Sequence, residues 1–193
     1  MVRIFGDFSQ ELPATQEYLT IVFSPSSVPV QQRWRTNGLS ADFMADYFAT
    51  FFPGSDTATT DINIQAEVKS AVSFIANELL ENAMKFNDPS SRYPISVRLQ
   101  LHSYGLVFLA TNSVTPGAIA KFQAFIEELT TSDPSELYIR NLERNAESES
   151  ERQSGLGLLA MINDYQAKLG WKFESVQKNP EVTTVTTMVQ LTV

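Results

Sequence analysis

In the run AEVKSAVSFIANELLENAMKF, residues 66–86, a carboxylate, a carboxamide and an ammonium recur at helical spacing. At about 100° per residue, Glu78, Asn82 and Lys85 fall on one narrow stripe, and Val72, Ile75, Leu79, Ala83 and Phe86 form an apolar face beside it. An amide oxygen at Asn82 is a hard ligand of the kind Mg²⁺ takes. A carboxylate at Glu78 could remove a proton from an attacking hydroxyl, and Lys85 could meet a phosphate. The same residues also suit the polar shoulder of an ordinary amphipathic helix, where Glu78 and Asn82 are an i,i+4 pair worth about 0.2–0.5 kcal/mol.

Composition narrows the chemistry. The chain has 193 residues, 43% hydrophobic and 19% charged, which suits a single globular domain over 1–193. A formal charge of −8 argues against nucleic acid or an anionic membrane surface as the main partner. Cysteine is absent, which excludes disulfides and thiolate metal sites. His102 is the only histidine and reads as a strand-end residue, so zinc triads and Ser-His-Asp catalysis have no material. The stretch MVRIFGDFSQELP holds no apolar run long enough for a signal peptide, and a cytoplasmic location is expected.

The elements that must position the stripe follow in order. Residues 1–62 read as two short strands, Val2–Phe5 and Tyr18–Ser24, and an aromatic-rich helical region over 28–52 broken at Asn37-Gly38. Ser26 or Ser27 is a candidate cap for that region. Leu39, Phe43, Met44, Tyr47, Phe48 and Phe51 lie at helical spacing, mostly as core, although so rich a stripe, with Trp34 as an exposed anchor, also suits a homodimer or partner surface. Residues 63–193 carry the motifs. The polar helix runs from about Ile64 to Phe86. A hairpin of Ile95–Leu101 and Leu106–Thr111 follows, then a helix from Pro116 or Gly117 through Leu129 and a short helix over Ser135–Asn145. The charged stretch Arg140–Gln153 has almost no large apolar groups and is expected to be mobile. Ser154-Gly155-Leu156-Gly157-Leu158-Leu159 then opens a helix to about Leu169 with Gly170 as its C-cap, before strands Trp171–Val176 and Thr183–Val193. Helices crossing one face of a largely antiparallel sheet make a two-layer α/β sandwich.

Two of these segments carry a resemblance. ELLENAMKF, Glu78–Phe86, resembles the N-box of the GHKL superfamily of ATP-binding proteins, the Bergerat fold, and SGLGLL resembles the glycine box that follows that family's ATP lid. The resemblance covers roughly residues 70–175 and implies Glu78 as general base, Asn82 as Mg²⁺ ligand and Lys85 as phosphate contact. It also implies Ser154, Gly155, Leu156, Gly157 and Leu158 as a phosphate-binding helix start. The family's third motif, D-x-G-x-G, is altered where the chain reads Asn112-Ser113-Val114-Thr115-Pro116-Gly117, with an asparagine for the aspartate and Val114 for the first glycine, and the resemblance implies Asn112 and Gly117 as candidate cofactor-binding residues. An asparagine can still accept from an amino group, without charge assistance, at a cost of about 1 kcal/mol.

Among the branches, the small anti-sigma-factor-like serine/threonine kinases, SiaB-like proteins included, are most similar. That resemblance implies ATP and Mg²⁺ as cofactors and transfer of the γ-phosphate to a small STAS-like antagonist protein in a partner-switching circuit. Arg152 is a further candidate phosphate contact, while Glu143, Glu147, Glu149 and Glu151 read as a solvated acidic face. The alternative implied by Asn112 and Val114 is a catalytically degenerate module of the same fold that acts by binding and sequestering a protein.

Overall fold

Alternation along the strands builds the first layer. In Ile95–His102 (β3), the side chains of Ile95, Val97 and Leu99 are buried while Ser96 and Arg98 between them are half-exposed. β-branched and long apolar residues at period two suit a pleated surface covered on one face. The computed structural model describes residues 2–24, 30–53, 64–147, 155–179 and 181–193. Its other strands are Val2–Gly6 (β1), Tyr18–Phe23 (β2), Gly105–Val114 (β4), Lys168–Lys178 (β5) and Glu181–Leu191 (β6). They form one six-stranded sheet in the order β1-β5-β6-β4-β3-β2, every neighbouring pair antiparallel. β1 and β2, adjacent in sequence, sit at opposite edges, so residues 7–17 cross the sheet between them. Asp7 N–H donates to the Leu169 carbonyl, Gln190 Nε2 to the Asp7 carbonyl, and Thr15 Oγ1 to the Leu101 carbonyl along that path.

The helices are Val30–Ala49 (α1), Ile64–Lys85 (α2), Pro116–Thr131 (α3), Pro134–Glu147 (α4) and Leu156–Tyr165 (α5). α2 is the central one. Val68, Ala71, Val72, Ile75, Ala76, Leu79, Leu80, Ala83 and Met84 are all buried, at the three- and four-residue spacing of one helix face. All but Ala83 and Met84, which pack with Ile95 in a smaller cluster, join a core with Val97, Leu99, Phe108 and Ala110 of the sheet and with Met44 and Phe48 of α1. The architecture is a two-layer α/β sandwich, as the pattern of elements predicts.

Three expectations need correction. α1 runs unbroken through Asn37-Gly38, because burial of Ala41, Met44, Ala45 and Phe48 outweighs the roughly 1 kcal/mol a mid-helix glycine costs. α4 extends to Glu147 and so takes in the first half of the charged stretch. There Leu137 and Asn141, one turn apart, are buried, and Arg140 lies 3.5 Å from Glu128 of α3. α5 ends at Tyr165 rather than near Leu169: Gln166 takes the left-handed conformation (φ 53°), and the Ala167 N–H caps the Met161 carbonyl at 3.0 Å. Gly170 is therefore no cap. It lies inside β5, paired with Gly6 and Met188, since 168–178 has a strand to pair with on each side. The candidate caps Ser26 and Ser27 and the side chain of Trp34 lie outside the described residues.

Along α1, Met44 and Phe48 are core as expected, whereas Leu39 and Phe43 are 73% and 56% exposed and Tyr47 and Phe51 stand beside them, also exposed. Among the described residues no helix is long and apolar enough to cross a membrane.

Ile75 is fully buried where α2 meets the sheet. Ile75→Ala is expected to lower unfolding free energy by about 2–5 kcal/mol, read as a fall in denaturant midpoint at unchanged m-value.

Candidate functional site

Burying one face of α2 forces its neighbouring stripe to lie along the edge of the helical layer. Asn82 is half-buried there, and Lys85 is exposed with its ammonium 5.2 Å from the centre of the Phe86 ring. Both line a cavity of about 900 Å³, within the range of small-molecule sites. Its other walls come from elements far apart in sequence: Asn112 and Val114 at the end of β4, Lys121, Phe122 and Phe125 of α3, Asn141 of α4, and Gly155, Leu156 and Leu158 at the start of α5. The sheet supplies the floor through Ala110, Trp171, Val185 and Thr187.

β4 continues past the expected end at Thr111 to Val114, so Asn112 is a strand residue paired with Val185. A buried polar network holds it. Asn112 Nδ2 donates to the Ser113 carbonyl at 2.9 Å, and the Asp88 N–H donates to the same oxygen at 3.1 Å. Ser113 N–H and Oγ both donate to Asn87 Oδ1, at 3.2 and 2.8 Å. One Nδ2 hydrogen is thus engaged, and the amide keeps its second Nδ2 hydrogen as a donor and Oδ1 as an acceptor. Asn87, which immediately follows the polar helix, thus ties the end of α2 to the strand carrying Asn112.

Glu78 is placed differently from Asn82 and Lys85. It is half-buried where α2 packs on α5, and it is not among the lining residues. Burial, and then the charge of neighbouring Glu81, raise its pKa above the usual carboxylate value. Glu81 is itself held by Asn77 Nδ2 at 3.2 Å. A methyl group at Gly157 would overlap the Glu78 carboxylate, so the second glycine of the box lets α5 press against that carboxyl group. The first glycine has another reason. Gly155 sits at φ 151°, a backbone few L-residues adopt, and a Cβ there would lie 2.9 Å from the Phe125 ring.

Gly117 is exposed at the start of α3 with open space around it and does not line the cavity. Ser154, Arg152, Glu149 and Glu151, and the side chain of Glu147, fall outside the described residues. His102 is buried at the end of β3, stacked on Tyr104 at 5.1 Å, its pKa lowered by burial. Lys121, Asn141, Thr187, Trp171 and Asn87 are the residues sequence reasoning missed. Thr187 and Trp171 carried a signal, since alternation puts Thr187 on the face of β6 that presents Val185 and Val189 and Trp171 on the face of β5 that presents Leu169 and Phe173. Trp171 is wholly buried and its Nε1 has no hydrogen-bond partner, at a cost of about 1–3 kcal/mol.

Among the described residues no three histidine or carboxylate side chains cluster as a metal site. That donor set still fits Mg²⁺ arriving with a phosphate ligand, which keeps its waters and needs only one or two protein oxygens, here the Asn82 amide. No protein-family model and no curated protein matches this chain.

The raised pKa of Glu78 has a stability consequence. Between its unfolded value and its higher folded value, the folded chain holds more protons than the unfolded one, so stability falls as pH rises through that window. Glu78→Gln is expected to raise the thermal midpoint at neutral pH, with the gain vanishing toward about pH 3. An equal gain at every pH would contradict the assignment.

The two glycines separate cleanly. Gly155→Ala should lose about 1–3 kcal/mol through its backbone. Gly157→Ala should stay within about 1 kcal/mol of wild type, because a flexible carboxylate can move aside and alanine favours the helix. Chemical denaturation of both variants checks the order.

Proposed function

We propose that this chain binds a nucleoside triphosphate, ATP, with Mg²⁺ and transfers the γ-phosphate to a serine or threonine hydroxyl of a protein partner. The observation that carries this reading is the convergence on one cavity of Asn82 and Lys85 from α2, Asn112 from β4 and the Gly155-Leu156 turn of α5. An apolar interior with cations at Lys85 and Lys121 suits a ligand that is a flat heterocycle at one end and a polyanion at the other.

Each residue then has a task. Asn112 Oδ1 accepts from the base's amino group, and the α5 helix start with Lys85 and Lys121 lies on the phosphate side. Asn82 would hold Mg²⁺, which when bound offsets the phosphate charge. The acceptor oxygen bonds to the γ-phosphorus, the bond from that phosphorus to the β,γ-bridging oxygen breaks, and Glu78 takes the hydroxyl proton. A carboxyl group with a raised pKa is a better base for that step. Because Glu78 stands on the α2–α5 seam, the acceptor must reach it there. The STAS-like antagonist proteins of partner-switching circuits are partners of this kind, and the exposed Leu39, Phe43, Tyr47 and Phe51 stripe is a surface open to such a protein or to a second copy of the chain.

One observation favours a second reading, a module of the same fold that binds a partner without catalysis. The buried group that would meet the base is a neutral amide in place of a carboxylate.

Thermal-shift titration with Mg·ATP distinguishes them. At 100 times its dissociation constant the ligand should stabilise the chain by about 2.7 kcal/mol. Asn82→Ala should lose the Mg²⁺-dependent part, and Glu78→Gln should keep binding and lose transfer of labelled phosphate to a co-purifying protein. No shift at millimolar Mg·ATP would favour the sequestering module.

A further inference from the structure

We propose that the exposed apolar row of α1, Leu39, Phe43, Tyr47 and Phe51, is the seam of a symmetric dimer, packed against the same row of a second copy of this chain.

The row is built as a docking ridge. Its residues recur at intervals of four, which makes one continuous ridge along the helix surface, and all of them are exposed. Tyr47 meets the rings of Phe48 and Phe51 edge-on, at 5.4 and 5.5 Å between centres, and Phe48 is fully buried. The core therefore holds the aromatic part of the ridge in place beforehand, so little side-chain freedom is lost on docking.

Helix geometry sets the flank on which the ridge stands. α1 is tied to α2 by the ion pair of Asp46 with Lys69 and by Ser73 Oγ, which donates to Asp42 at 2.8 Å. At about 100° per residue, Lys69 lies about half a turn round α2 from Glu78, the residue that packs on α5. α1 and α5 thus flank α2 on opposite sides. Phe43 and Tyr47 stand about 100° round α1 from Asp42 and Asp46, turned away from α2. The cavity, walled by α3, α4 and α5, lies beyond the other side of α2, so a copy seated on the ridge leaves it open.

Charge and area favour a second copy as the occupant. The chain carries a formal charge of −8, so two copies repel except where carboxylates are absent or engaged. The ridge has no charged residue, and its nearest acids, Asp42 and Asp46, are held on the α2 side. Ridges of this kind interdigitate with their like at about −50°, the commonest helix packing class, and two identical ridges suit a twofold axis. About an axis between Phe43 and Tyr47, antiparallel rows set Phe43 against the partner's Tyr47 and Leu39 against the partner's Phe51, each pair occurring twice. The four side chains expose roughly 400 Å² per copy, about half of what one partner contributes to a standard interface. Exposed polar neighbours such as Gly38 and Thr50 extend it as a rim. The stripe is then taken by a second copy rather than by the phosphate acceptor, which must dock elsewhere.

Sedimentation velocity of the whole chain tests this pairing. At about 100 μM the wild-type chain is expected at twice the mass of one chain. Phe43→Glu and Tyr47→Lys each place an unpaired charge in the seam and should sediment as single chains with unchanged circular dichroism. Mixed in equal amounts, the two variants should regain the dimer mass, because the introduced carboxylate and ammonium face one another across the axis. Leu39→Glu with Phe51→Lys is a second complementary pair, read in the same way if either of the first variants fails to fold. A wild-type chain that stays single would leave the ridge to a different protein and overturn the proposal. So would a dimer that persists in both variants, or folded variants that stay single when mixed. Nucleotide binding does not enter the readout, so the outcome is independent of the nucleotide reading.

Discussion

The burial of one face of α2 against the sheet is the constraint from which the rest of the site follows. Nine apolar residues from Val68 to Met84 point inward. At about 25 cal/mol per Å² of apolar surface, losing that burial far exceeds anything a polar side chain on the same helix could gain by turning inward. The helix therefore has one stable rotation about its axis. That rotation sets Asn82 and Lys85 at the cavity and Glu78 against α5. A shift of one residue would carry the stripe about 100° round the helix and bury a charge.

A second constraint fixes where the helix ends. Asn87 and Asp88, just beyond α2, share the Ser113 backbone and side chain with Asn112, so the far end of the helix and the end of β4 are joined by hydrogen bonds rather than by packing alone. A buried network of this kind is costly if any member is unpaired and stiff when all are satisfied. It explains how two walls contributed by residues far apart in sequence can face one another without a connecting element. Glu78 and Gly157 supply the corresponding link on the other side, where the missing Cβ lets α5 approach the carboxyl group.

Much of this was legible in the chain itself. The period of the apolar residues in 64–86 and the strand patterns of 95–101 and 183–193 predict the right layers, because burial on one face leaves its period in the residues. The polar stripe could be read as well, since spacing alone puts Glu78, Asn82 and Lys85 together. What the residues near Asn37-Gly38 and Gly170 say locally was overruled by long-range packing: a glycine reads as a break or a cap only where no neighbouring helix or strand claims its backbone. Lys121 and Asn141 reach the cavity through the tertiary arrangement of α3 and α4, which no local pattern encodes. Leu39 and Phe43 show the reverse limit, apolar residues at core spacing that the fold leaves exposed.

The central claim is that the stripe of α2, the end of β4 and the opening turn of α5 form one nucleotide site. Hydrogen–deuterium exchange of the whole chain with and without Mg·ATP tests it most directly. Slowed exchange is expected in Asn82–Phe86, Asn112–Val114 and Gly155–Leu159 together, at one ligand concentration. Slowed exchange in only one of these segments, or in none of them while ATP is bound elsewhere, would contradict it.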